Sequence, residues 1–188
     1  MTMADRPVVV VDTNVLLNLA TPVVDGRAHA PSGEDPFRTV LAGYDVHVPS
    51  SVLGEVSEAI ESDDLLSAAA ELVFRASHQL TTHEVDAAIE GPLEFGLDPG
   101  ESHGIWLANE LAADMFVTDE FNTTNYLFVS LALEDRNTLF TTPHVLCMLA
   151  ADGILDVGYV NAALTYFVET KGWDRQYIGQ LRSKYCSE

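Results

Sequence analysis

PVVVVDTNVLLNLA, Pro7 to Ala20, decides the fold. Its four consecutive valines lack the helical period, and their β-branched side chains suit a strand buried on both faces. Asp12 ends the apolar run. Val15, Leu16, Leu17 and Leu19 then open an apolar helix, with Asp12 or Thr13 as its N-cap. A carboxylate thus sits at the carboxyl end of a central strand, the edge where open α/β sheets bind ligands. Carboxylates that other strands deliver to that edge would converge on Asp12.

Working outward, residues 21–36 carry three prolines and two glycines and read as a long surface loop. Phe37 to Leu41 offers a short helix and Tyr44 to Val48 a second strand ended by Pro49. Ser50 or Ser51 then caps a helix whose stripe is Val52, Leu53, Val56 and Ile60, with Glu55 near its start. Asp63 or Asp64 opens a helix reaching about His78. Residues 79–97 are ambiguous, and Thr82 to Ile89 reads as a short helix. Asp98, Pro99 and Glu101 make a strong helix start as N-cap, N1 and N3. Asp114 to Thr118 reads as a buried strand ending at Asp119, which repeats the pattern at Asp12. Asn122 to Leu133 suits a helix and Thr138 to Thr142 a strand. Pro143 begins a helix over 144–151 that Gly153 ends, and two terminal helices follow over 156–170 and 174–184.

The chain of 188 residues is 47% hydrophobic, enough for one compact domain with a small helical tail. No apolar run approaches the roughly 20 residues of a membrane span, and MTMADRP has no signal core, so a cytoplasmic protein is expected. Cys147 and Cys186 lie far apart without metal-ligand spacing and read as ordinary thiols. There are 29 acids against 9 Lys plus Arg, a formal charge of -20, and lysine occurs only at Lys171 and Lys184. The acids are scattered through apolar sequence, so folding is expected, helped by salt that screens the repulsion. Such composition resembles that of proteins from salt-accumulating halophiles.

Four carboxylates stand out by position: Asp12 and Asp119 past strands, Glu55 and Glu101 at helix starts. Each alone has an ordinary reading as a cap or a partner for a helix dipole. The strand-end pair says more, because a parallel sheet puts both on one edge. Clustered carboxylates need shared protons or a cation. Oxygen ligands without His or Cys favour Mg2+ or Mn2+, which suits phosphodiester hydrolysis. The six histidines lack zinc-like spacing and read as surface or packing residues.

PVVVVDTNVLL resembles the opening of PIN-domain ribonucleases. VPSSVLGEVSEAI is similar to that family's segment bearing a helical Glu, and DPGESHGIWLANELAADMFVTDE to its acidic helix followed by a strand ending in Asp. TPHVLCMLAADGILD resembles the helix after the last strand, so the blocks follow family order across most of residues 7–157. The resemblance implies a three-layer α/β/α sandwich with a parallel central sheet over residues 1–157, and a helical extension over 158–188 packed on the same domain. It implies Asp12 and Asp119 as direct ligands of Mg2+ or Mn2+, Glu101 as a ligand directly or through water, and Glu55 at the rim. Asn14 would steady the site by hydrogen bonds, with Thr13, Thr118, Glu120 and Asn122 around it. The expected activity is endoribonucleolytic, as a toxin with an antitoxin protein partner or in RNA processing, with a homodimer expected and no DNA substrate. A non-catalytic interaction module is the competing class. The loop over 21–36 and EFNTTNYL depart from the family pattern. Haloacid dehalogenase chemistry would require Asp where Asn14 stands, and a receiver domain would require paired acids and a late lysine that are lacking.

Four of the nine cationic residues, Lys171, Arg175, Arg182 and Lys184, fall in the last 18 residues. An ordinary solvated helix face explains them. The functional alternative is that Arg175, Arg182 and Lys184 guide an RNA backbone toward the acidic edge.

Overall fold

The computed structural model describes residues 6–62, 64–85, 99–119, 123–134 and 138–186. Five strands, β1 (Val8–Val11), β2 (Asp45–Pro49), β3 (Thr81–His83), β4 (Met115–Val117) and β5 (Leu139–Phe140), form one sheet in the order β3-β2-β1-β4-β5. Every pairing is parallel, with Val10 opposite both His47 and Phe116. Parallel neighbours require crossovers, which the helices supply. They are α1 (Thr13–Val24), α2 (Pro36–Gly43), α3 (Ser50–Ala59), α4 (Leu65–Arg75), α5 (Pro99–Glu110), α6 (Thr123–Ala132), α7 (Thr142–Ala151), α8 (Val157–Thr170) and α9 (Arg175–Tyr185).

The valine run works through its alternation. Val9 and Val11 join a core with α1 to α4 and α7 to α9, while Val10 points into a second core with α5 and α6. All three are at most 2% exposed, and each contributes about 1.5–3 kcal/mol by burial. The result is a three-layer α/β/α sandwich, as the sequence predicts. α8 and α9 supply Tyr159, Val160, Leu164, Phe167, Ile178 and Leu181 to the same core as the sheet.

Connections from β1 and β2 run over one face, and those from β3 and β4 over the other. Strand order therefore reverses between β1 and β4, which opens a crevice at their carboxyl ends. On the second face Gly104 brings α5 close to the sheet. A Cβ there would stand 2.9 Å from the edge of the Phe116 ring, so any larger residue would have to push that ring aside.

Several local expectations change. The loop predicted from residue 21 begins at Asp25, because α1 continues through Pro22. Thr21 and Pro22 are buried, and Thr21 Oγ1 donates to Leu17 O at 2.6 Å, so tertiary packing outweighs the proline's missing donor. Neither Ser50 nor Ser51 caps α3; both lie inside it, with Pro49 at the N-cap and no side-chain cap bond. α4 ends at Arg75, and a 3-10 turn occupies Ser77–Gln79. Thr81–His83 is a strand rather than the start of a helix, since its pairing with β2 is a backbone matter that three polar residues do not advertise. His83 closes that edge through a ring contact, His83 Nε2 to His47 Nδ1 at 2.8 Å. Asp98, the expected cap of α5, lies outside the described residues.

Candidate active site at the sheet reversal

Asp12 directly follows β1, and its side chain is fixed from three directions. The Val15 N–H donates to Oδ1 at 2.8 Å, making Asp12 the N-cap of α1. Thr118 Oγ1 donates to Oδ2 at 2.5 Å, and the Asp119 N–H reaches the same oxygen at 3.4 Å. Thr118 and Asp119 directly follow β4, which pairs with β1, so the parallel ladder itself brings these residues level. The Asp12 N–H bonds Val117 O at 3.3 Å, and the Thr118 N–H bonds Phe140 O at 3.0 Å.

Asp119 is held from the neighbouring strand end. The Thr142 N–H donates to its Oδ1 at 2.8 Å, Thr142 Oγ1 to its Oδ2 at 2.6 Å, and Asn18 Nδ2 to Oδ2 at 2.8 Å. Thr142 opens α7 after β5, and Asn18 lies one and a half turns along α1. Three successive strand ends and one helix thus converge on two carboxylates. Lys171, at the C-cap of α8, lies close enough for its charge to favour ionised Asp119.

The electrostatics follow from burial. Loss of solvent, then the negative charge of Asp119, push the Asp12 carboxyl up to about 7, against the hydrogen bonds from Thr118, Val15 and Asp119. Asp119 is also raised, chiefly by burial, with the Thr142 and Asn18 bonds opposing it.

Glu55 joins from the β2 side. Thr13 Oγ1 donates to Glu55 Oε2, linking α3 to the residue after Asp12. Glu101 is half-buried in the first turn of α5, and two residues on, His103 Nδ1 stands 3.5 Å from Ser51 Oγ of α3. The starts of α3 and α5 therefore meet at the carboxyl edge of the sheet. Asn14 is exposed on the first turn of α1. Glu120 and Asn122 lie outside the described residues.

The structure thus places Asp12 beside Asp119, with Thr118 binding the first, and links Glu55 to this pair through Thr13. Among the described residues no group of three or more His, Cys, Asp or Glu side chains is arranged to hold a metal ion. The carboxylate pair nonetheless fits a hard divalent cation. Among the described residues, Asp12 Oδ1 and Asp119 Oδ1 each accept one protein hydrogen bond, leaving acceptor capacity. The repulsion that raises Asp12 is what such a cation would relieve. Mg2+ commonly uses one or two carboxylates and completes its shell with water and phosphate oxygens.

The residues of the expected basic guide all lie on α9, where Arg175 and Arg182 line one cavity together with Glu169 of α8. Arg182 Nη2 donates to Asn161 O at 2.9 Å and to Thr165 Oγ1 at 2.6 Å, clamping α9 to α8. Lys184 lies over its neighbour Tyr185, 4.6 Å from the ring centroid, and Arg175 is exposed at the start of α9.

Asn18 and Thr142 are the site residues that sequence reasoning missed. Asn18, 9% exposed, could have been found as an amide set among the apolar residues Leu16, Leu17, Leu19 and Ala20 of α1. Thr142 could have been found by extending the strand-end rule to β5.

Comparison with family models, curated proteins and solved structures finds no match for the chain. Fold and site together define a parallel α/β protein with a half-buried aspartate pair at the reversal of strand order.

Proposed function

We propose that the chain is a divalent-metal-dependent endoribonuclease acting on RNA phosphodiester bonds. One observation carries this reading: two half-buried aspartates from adjacent central strands share the crevice at the sheet reversal, with the first pushed up to about 7 by partial loss of solvent and by its neighbour's charge. Asp12 and Asp119 would hold Mg2+ or Mn2+. Thr118, Thr142 and Asn18 hold the two carboxylates in position, so their geometry does not depend on substrate. Glu55, tied to Thr13, and Glu101, in the first turn of α5, would act at the rim through water. A bound divalent ion supplies a Lewis acid for phosphate oxygens and lowers the pKa of the attacking water. Service as a toxin paired with an antitoxin, or in RNA maturation, is the finer form of this proposal, and growth arrest on expression would favour the toxin.

The test is cleavage of a mixed RNA substrate with Mn2+ or Mg2+. We expect Asp12→Asn and Asp119→Asn to lose at least ~100-fold in rate while remaining folded. Intact RNA with both metals, or full activity in Asp119→Asn, would overturn the reading.

A second reading, a non-catalytic interaction module, draws on a different observation. All four oxygens of the pair already accept protein hydrogen bonds, as in a purely structural brace. That reading expects a folded protein inert toward RNA with either metal.

A further inference from the structure

Cys147 is fully buried in α7, and Cys186 follows α9 in a half-buried position. Their 39-residue separation gives no hint of contact, yet the two Sγ atoms are 3.9 Å apart. This is the last rung of a column. Thr141 Oγ1 meets Tyr177 Oη at 2.7 Å, and His144 Nε2 meets Tyr185 Oη at 2.7 Å. Residues 141, 144 and 147 recur at three-residue spacing, so they lie along one side of α7. α9 is held down that side, and the sulfur pair closes its far end.

We propose that Cys147 and Cys186 form an oxidisable pair that a small-molecule disulfide converts into an intramolecular disulfide, stapling α9 to α7. The sulfurs need to approach by about 1.9 Å to reach bonding distance. Cys186 has the freedom for this, since it lies just beyond the last turn of α9, where helices fray. Cys186 is also the first nucleophile, being the more accessible thiol, whereas burial and the neighbouring sulfur push the Cys147 thiol up to about 12. The Cys186 thiolate attacks one sulfur of the small disulfide, expelling one thiol and leaving a mixed disulfide. Cys147 then gives up its proton, attacks Cys186 Sγ and releases the second thiol. Two cysteine thiols lose two electrons in all, and one small disulfide is reduced to two thiols. The proposal is independent of the nuclease reading.

The test incubates the full chain in oxidised and reduced glutathione at increasing ratio, followed by acid quench, alkylation and intact mass measurement. We expect a monomer about 2 Da lighter with two fewer alkylation sites. Its midpoint of thermal unfolding should rise by about 5–10 °C and fall back on reduction. Cys186→Ser should show neither change. Two alkylatable thiols at the most oxidising ratio, a glutathione adduct that goes no further, or a bond between two chains would each overturn the proposal.

Discussion

Asp12 meets two opposing demands, capping α1 as an anion while sitting half-buried beside a second carboxylate. Its folded-state pKa of about 7 lies above the ordinary 3.8, so the folded chain holds this proton more tightly than the unfolded one. The contribution to stability is therefore greatest below about 4, declines as pH rises toward 7, and stays low above that. Urea unfolding in EDTA should show wild type losing ground to Asp12→Asn across this window, by about 1.4 kcal/mol per pKa unit at most. Added Mn2+ at pH 7.5 should restore wild type but not the variant; equal slopes in the two proteins would mean that Asp12 is ionised throughout. This residue was legible because Asp after an apolar run reads both as a strand end and as a cap. Its partners Asn18 and Thr142 were not, since each has a local reading as a helix residue that hides its long-range bond.

At the level of elements, two contacts fix how helices sit around the site. Gly104 lets α5, and with it Glu101, lie against β4. Gly104→Ala should cost about 1–3 kcal/mol through the collision with Phe116, measured by denaturant unfolding. Arg182 joins α9 to α8 through its charged hydrogen bonds, so Arg182→Met should destabilise by about 1.5–3 kcal/mol. Arg175→Met, at an exposed position, should stay within about 0.5 kcal/mol of wild type. Equal effects would show that the clamp contributes nothing particular. The long helices were legible from their periodicity and from Asp64, Asp156 and Asp174, each of which accepts a backbone N–H as an N-cap. β3 was not, because three residues paired only through their backbone carry no hydrophobic pattern, and α1 outran its expected end because burial of Thr21 and Pro22 overrides local propensity.

For the whole molecule, charge sets the conditions of stability. A formal charge of -20 accompanies only a handful of ion pairs among the described residues, such as Arg38 with Asp35 and Arg75 with Glu71. Self-repulsion is therefore largely uncompensated in dilute buffer. Raising KCl from 0.1 M to 1 M shortens the Debye length from about 10 Å to about 3 Å, so the thermal midpoint should climb by several degrees. A midpoint that falls with salt would remove the basis for a halophilic reading. No described helix is long and apolar enough to cross a membrane.

The sequence by itself determined the central strand and the helices around it: four valines without helical period demanded a strand covered on both faces, and segments with helical periodicity follow it. It also put Asp12 and Asp119 at strand ends, because apolar runs stop there. Tertiary structure alone decided which strands are neighbours, and hence that these two aspartates meet. Strand order comes from long-range pairing that no local pattern encodes. The same reason governs Thr142 on Asp119, Thr13 on Glu55, His47 against His83, and the two cysteines: each contact joins residues whose separation along the chain carries no period, and only the closed sheet brings them within reach.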